Sequence, residues 1–119
     1  MKPMTMKPIP KILKERLIKN HFDNLKSEQR GEKSFKVVLK LFNPTGIGTW
    51  YLTELDPVNN VAFGLCCLHE KVLGFVSLDE LSEFKGRFGL GIERDKYFSI
   101  NKYSLKECKQ LWLYLEEQL

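Results

Sequence analysis

Four short stretches rich in β-branched and aromatic residues follow one another along this chain, and the segments between them are too short to hold a helix. Residues 35–42, 49–55, 61–68 and 72–76 each have the length and composition of a strand. Asn43-Pro44-Thr45-Gly46-Ile47-Gly48, Asp56-Pro57-Val58-Asn59-Asn60 and His69-Glu70-Lys71 supply turn chemistry between them. Parallel strands need a crossover of about a dozen residues or more, so these connections predict an antiparallel meander. Alternation adds detail. Phe35, Val37, Leu39 and Leu41 are expected on one face of the first strand, with Lys36 and Lys40 on the other. In the third, the small residues Ala62, Gly64 and Cys66 oppose the bulkier Val61, Phe63, Leu65 and Cys67, a pattern suited to a helix lying close against the sheet.

Helical patterns flank the meander. Residues 9–29 place Leu13, Leu17, Ile18, Phe22 and Leu25 on one broad face and Lys11, Arg16, Lys19, Lys26 and Arg30 on the other, with Pro10 in the first turn and Gly31 as a stop. Ser77-Leu78-Asp79-Glu80 and Ser104-Leu105-Lys106-Glu107 both read as capping boxes, Ser at N-cap and Glu three residues on. The first predicts a short helix ending near Gly86. The second predicts a terminal helix with Leu105, Cys108, Leu111, Trp112, Leu115 and Leu119 on one face. Between them, Leu90, Ile92, Tyr97 and Phe98 suggest one or two further short strands broken by Gly89 and Gly91. The expectation is an α+β fold: an antiparallel sheet covered on one side by N-terminal and C-terminal helices.

At 119 residues the chain fits a single domain, 1–119, with residues 1–9 read as a flexible N-terminal segment broken by Pro3 and Pro8. No apolar run approaches the roughly 18 residues of a membrane-spanning helix, and no apolar block of signal-peptide type precedes residue 10. Three cysteines, two of them adjacent, make a poor disulfide framework, so reduced thiols and a cytoplasmic location are expected. Charge is unevenly spread: residues 1–40 carry +7 and residues 41–119 carry −3. A basic end suits an acidic partner such as nucleic acid, and equally suits a solvated helix face.

Catalytic patterns are incomplete. Cys66, Cys67, His69 and Cys108 have zinc-ligand chemistry at the wrong spacing, because adjacent strand residues point to opposite faces. Neither His21 nor His69 accompanies a nucleophile motif. The Thr45-Gly46-Ile47-Gly48-Thr49 loop lacks a phosphate-binding lysine and leads into a strand, which favours a hairpin turn over an anion cradle. No catalytic residue, metal or other cofactor is assigned. The candidate cluster is Trp50, Glu54, Glu93, Arg94 and Asp95. Trp50, Leu52 and Glu54 share a strand face by the period of two, and Arg94, lying between two acids, is expected to pair with at least one of the three carboxylates. Such a cluster is either a structural ion pair or, if the acids converge, a metal or acid/base site.

The ordered succession Thr49-Trp50-Tyr51-Leu52-Thr53-Glu54, Phe63-Gly64, residues 74–81 and residues 86–95 with Phe98 resembles a family of small uncharacterised bacterial proteins carried on plasmids, phages and integrative elements. The resemblance covers roughly residues 10 to 105. It implies a mobile-element setting and no known reaction. Small proteins in such settings often act by occupying a host protein, defence nucleases included, an argument by analogy alone. The expected function is therefore a non-catalytic interaction protein with a protein partner and no membrane association. The alternatives are a nucleic-acid-binding module using Lys11, Arg16, Lys19, Lys26 and Arg30, against which stand Glu15 and Asp23 on the same face, and a carboxylate-dependent hydrolase.

Overall fold

The computed structural model describes residues 6–26 and 35–118. Along the chain come helix α1 (Lys11–Lys26), strands β1 (Leu39–Phe42), β2 (Thr49–Asp56), β3 (Val61–Cys67) and β4 (Lys71–Ser77), helix α2 (Leu78–Glu83), a 3₁₀ turn at Arg87–Gly89, strand β5 (Glu93–Arg94) and helix α3 (Leu105–Glu117). The five strands form one antiparallel sheet in the order β4-β3-β2-β1-β5. The α+β class and the meander agree with the sequence pattern.

The two long helices lie on opposite faces of this sheet, which corrects the expectation that both cover one side. Leu13 and Leu17 of α1 pack with Leu39, Leu41, Trp50, Leu52, Leu55, Ala62 and Cys66, joined by Leu78 and Leu81 of α2. Cys108 of α3, flanked by Leu105 and Trp112, packs with Val37, Tyr51, Leu65 and Cys67. Neighbouring residues such as Trp50 and Tyr51, or Cys66 and Cys67, go to different layers because successive strand side chains point to opposite faces. Each helix needs only one apolar face, so periodicity within the helices says nothing about which layer receives them.

Two irregularities defeat simple alternation. Val37 donates its N–H to Tyr103 O, while Val38 donates to Leu52 O. The chain thus changes partner just before β1, and Val37 joins the α3 layer while Leu39 and Leu41 join the α1 layer. In β2 the register against β3 shifts between Leu52 and Glu54. Leu52 and Leu55, three residues apart, consequently both face α1. Asn20 of α1, only 8% exposed, donates from Nδ2 to Thr53 O at 2.9 Å and satisfies the backbone at the bulge. Phe22 and Leu25, expected on the buried face of α1, are instead substantially exposed. Close by, Gly64 is required by sterics: a Cβ there would sit 1.9 Å from Tyr51 O.

Both predicted caps form. Ser77 Oγ accepts from Glu80 N at 3.2 Å, and Ser104 and Glu107 make the reciprocal box at 3.1 Å in each direction. Gly31 and Leu119 lie outside the described residues.

Candidate functional site

The expected carboxylate cluster does not assemble. Glu54 is 8% exposed and accepts from Asn24 Nδ2 at 3.0 Å, near the end of α1. The bulge takes it out of the Trp50–Leu52 row, because alternation restarts after Thr53. Glu93 pairs in register with Phe42, which itself lies opposite Thr49. Glu93 and Glu54 are therefore two strands and five residues apart, roughly 16 Å along the strand direction alone. Asp95 is engaged elsewhere: Oδ2 takes Lys40 Nζ at 3.2 Å and Oδ1 accepts from Tyr97 N at 3.0 Å. Arg94 forms no ion pair with Glu54, Glu93 or Asp95 among the described residues, contrary to expectation. Arg94 lies in register with Leu41, whose side chain faces α1, whereas Lys40 and Asp95 meet over Tyr51 on the other face. Adjacent residues in an extended chain could not serve one ion pair across both faces. No group of three or more His, Cys, Asp or Glu among the described residues is placed to hold a metal.

The glycine loop is a closed turn. Asn43 N–H donates to Gly48 O, Asn43 Nδ2 donates to Ile47 O, and Thr45 N–H donates to Asn43 Oδ1. Gly48 has φ +138, and a Cβ on it would lie 2.6 Å from the Trp50 ring. The turn geometry and the indole packed over it account for these glycines without an anion.

On α1, Lys11 lies 3.8 Å from Glu15 and Lys19 lies 2.8 Å from Asp23. Arg16 and Lys26 are exposed, and Arg30 lies outside the described residues. Two of the proposed phosphate contacts thus already face acids on their own helix.

The cysteines are free and buried. Burial pushes the Cys67 and Cys108 thiols up to about 11, and Cys66 also upward. The Trp112 indole N–H, which finds no partner of ordinary hydrogen-bond geometry among the described residues, pulls Cys67 the other way without overcoming burial. Thiols held protonated in this manner are poor nucleophiles and poor metal ligands at neutral pH.

Three features that sequence reasoning did not single out stand at the surface. The first is the free edge of β4, where Val72 is 50%, Leu73 59% and Phe75 75% exposed. Phe75 stacks at a tilt on Phe63 of β3, ring centroids 5.1 Å apart. A stretch apolar on both faces normally signals a buried strand. Its position as the end of the meander was the available sign that it would be an edge. The second is a cavity of about 430 Å³ between residues 6–9 and the β1–β5 edge, floored by Leu41 and Ile92 and rimmed by Lys7, Arg94 and Lys96. The third is a cavity of about 610 Å³ under α3, where the Lys40–Asp95 pair meets Tyr51, Phe98 and Tyr103. There Lys40 Nζ lies 5.5 Å from the Tyr51 ring centroid and 5.9 Å from that of Phe98. Burial, with smaller contributions from Cys108, Cys67 and Asp95, pushes the Tyr51 hydroxyl up to about 12.

Comparison with curated proteins and with solved structures gives no match. The family described as "Protein of unknown function (DUF2958)" matches residues 9–109, a span that takes in α1, all five strands, α2 and the first turn of α3. With most of its length and its whole sheet inside that match, the chain belongs to the DUF2958 family.

Proposed function

We propose that this chain is a non-catalytic interaction protein that receives an extended segment of a partner protein on the free edge of β4. The observation that carries the reading is the conjunction of an edge that pairs with no strand among the described residues and exposed apolar side chains at Val72, Leu73 and Phe75. Soluble proteins generally protect such an edge with charge, proline or a covering element, because its backbone N–H and C=O groups template further pairing. β4 has Lys71 at one end and nothing comparable at its centre. Gly74 sharpens the point. Glycine weakens a strand interior, yet a Cβ at Gly74 would meet nothing within 4 Å among the described residues, so none of them requires the missing side chain. A partner backbone approaching closely there would require it. The occupant is an extended segment with apolar side chains at alternate positions, its main chain supplying affinity and Leu73 and Phe75 supplying selectivity. The resemblance to mobile-element proteins makes a host protein the partner class of first choice, with a defence nuclease as one candidate.

A nucleic-acid module built on α1 has less support, since Lys11 and Lys19 face Glu15 and Asp23. A hydrolase lacks its convergent acids, Glu54 and Glu93 being on separate parts of the sheet. The test is affinity capture from host cells with the wild-type chain, the Leu73→Glu/Phe75→Glu variant and a Gln110→Glu/Gln118→Glu variant that adds equal charge on α3 and its C-cap. The edge variant should stay folded and lose its captured protein at least tenfold while the α3 variant keeps it. Equal recovery by both variants would remove β4 as the docking edge.

A further inference from the structure

We infer that the 430 Å³ cavity at the β1–β5 edge is a binding site for a small organic anion, a carboxylate or phosphate-monoester head on an aliphatic body. Its size lies in the range of small-molecule sites, which run from about 300 to 1,000 Å³. The floor is apolar and firmly set: Leu41 and Ile92 are each 1% exposed, and Met6 and Ile9 pack against the same core to form the wall. The rim is cationic, with Lys7, Arg94 and Lys96 against the single acid Glu93. An apolar floor beneath a rim of mostly one charge sign favours an amphiphile over a bare ion.

Arg94 determines the head group. Arg94 as a residue is partly buried, and no carboxylate pairs with its guanidinium among the described residues. Of the two acids beside it in sequence, Asp95 is committed to Lys40 and the Tyr97 N–H, and Glu93 forms no ion pair with it among the described residues. A partly buried guanidinium is normally matched by an anion, and its planar fork fits carboxylate or phosphate oxygens two at a time. The chain supplies the cation, the apolar floor and the opening at a sheet edge; the ligand supplies the missing anion. Residues 6–9, which form the wall, precede α1 and are held to it by Pro10 O, which accepts from the N–H groups of Leu13 and Lys14.

The test is titration of the intact chain with octanoate, octyl phosphate, inorganic phosphate and octylamine, followed by amide chemical shifts and calorimetry. Octanoate, octyl phosphate or both should bind saturably with Kd on the order of 1 mM or tighter, moving the amides of Met6, Ile9, Ile92 and Arg94. A carboxylate preference would identify an organic acid, and an octyl phosphate preference a phosphate ester. Arg94→Gln should weaken binding at least tenfold at an unchanged melting temperature, since Arg94 has no ion pair among the described residues to lose. Should that variant fold poorly, Lys96→Gln at an exposed position should weaken binding two- to threefold. Inorganic phosphate binding as tightly as octyl phosphate, octylamine binding as tightly as octanoate, or full affinity in the folded variants would overturn the site.

Discussion

The two faces of the sheet are built on different terms. The α1 face is a continuous apolar layer in which Leu17, Leu39, Leu41, Leu52 and Leu55 are essentially inaccessible, and α1 lies along β2. The α3 face has a smaller buried cluster, and ionisable groups stand in and around it: Tyr51, Cys67 and Cys108 inside, Lys40–Asp95 and Lys71–Glu116 at the margins. Only Cys108 of α3 is buried, while Leu111, Leu113, Tyr114 and Leu115 remain exposed. Hydrophobic stabilisation scales with apolar area removed from water, so the α1 face holds the fold together. The α3 face, with an open cavity and exposed apolar side chains running out to β4, is where the molecule has surface to spare for a partner.

The largest expected difference follows from packing. Leu17→Ala should destabilise the protein by about 3 kcal/mol, as for other buried leucines that leave a cavity. Leu111→Ala, at a site 55% exposed, should change stability by less than about 0.5 kcal/mol. Denaturant titration of both variants checks this, and equal losses would abolish the distinction between the faces.

A smaller effect concerns how α3 is held. With little tertiary packing, its start depends on the Ser104–Glu107 box, so Ser104→Ala should cost about 1 kcal/mol. Amide exchange in Leu105–Glu117 should rise with it, while α1 amides stay protected. Ser77→Ala removes a comparable cap from α2 and should cost a similar amount without touching α3 exchange. No change in α3 exchange after Ser104→Ala would mean that packing, not the cap, holds the helix.

The smallest effect is alkaline. Cys67 and Cys108 rise from the usual 9.0 to about 11 because burial disfavours the thiolate. Below pH 9 folded and unfolded chains both keep these protons. Between about 9 and 11 the unfolded chain releases them first, so stability falls as pH rises through that window. The loss is small just above pH 9 and grows toward pH 11. A Cys67→Ala/Cys108→Ala variant should show a flatter melting temperature over the same window, and identical pH profiles would exclude this cause.

Local chemistry determined much of the fold. Turn residues and period-two alternation gave β2, β3 and β4 nearly to their ends, and Ser77 and Ser104 marked two helix starts, because these features depend on near neighbours in the chain. The burial of Cys66 and Cys67 in different layers was also legible, from alternation alone. The candidate site was not. Gathering Glu54, Glu93 and Arg94 required a strand register, and the shift after Leu52 together with β5 docking beside β1 placed them apart. The same long-range pairing left, among the described residues, the outer edge of β4 unpaired and Arg94 without an ion pair, the two features on which the functional proposals rest. Periodicity defines which side of a strand or helix is apolar; only tertiary pairing decides what that side meets, since register and layer are set by contacts distant in sequence.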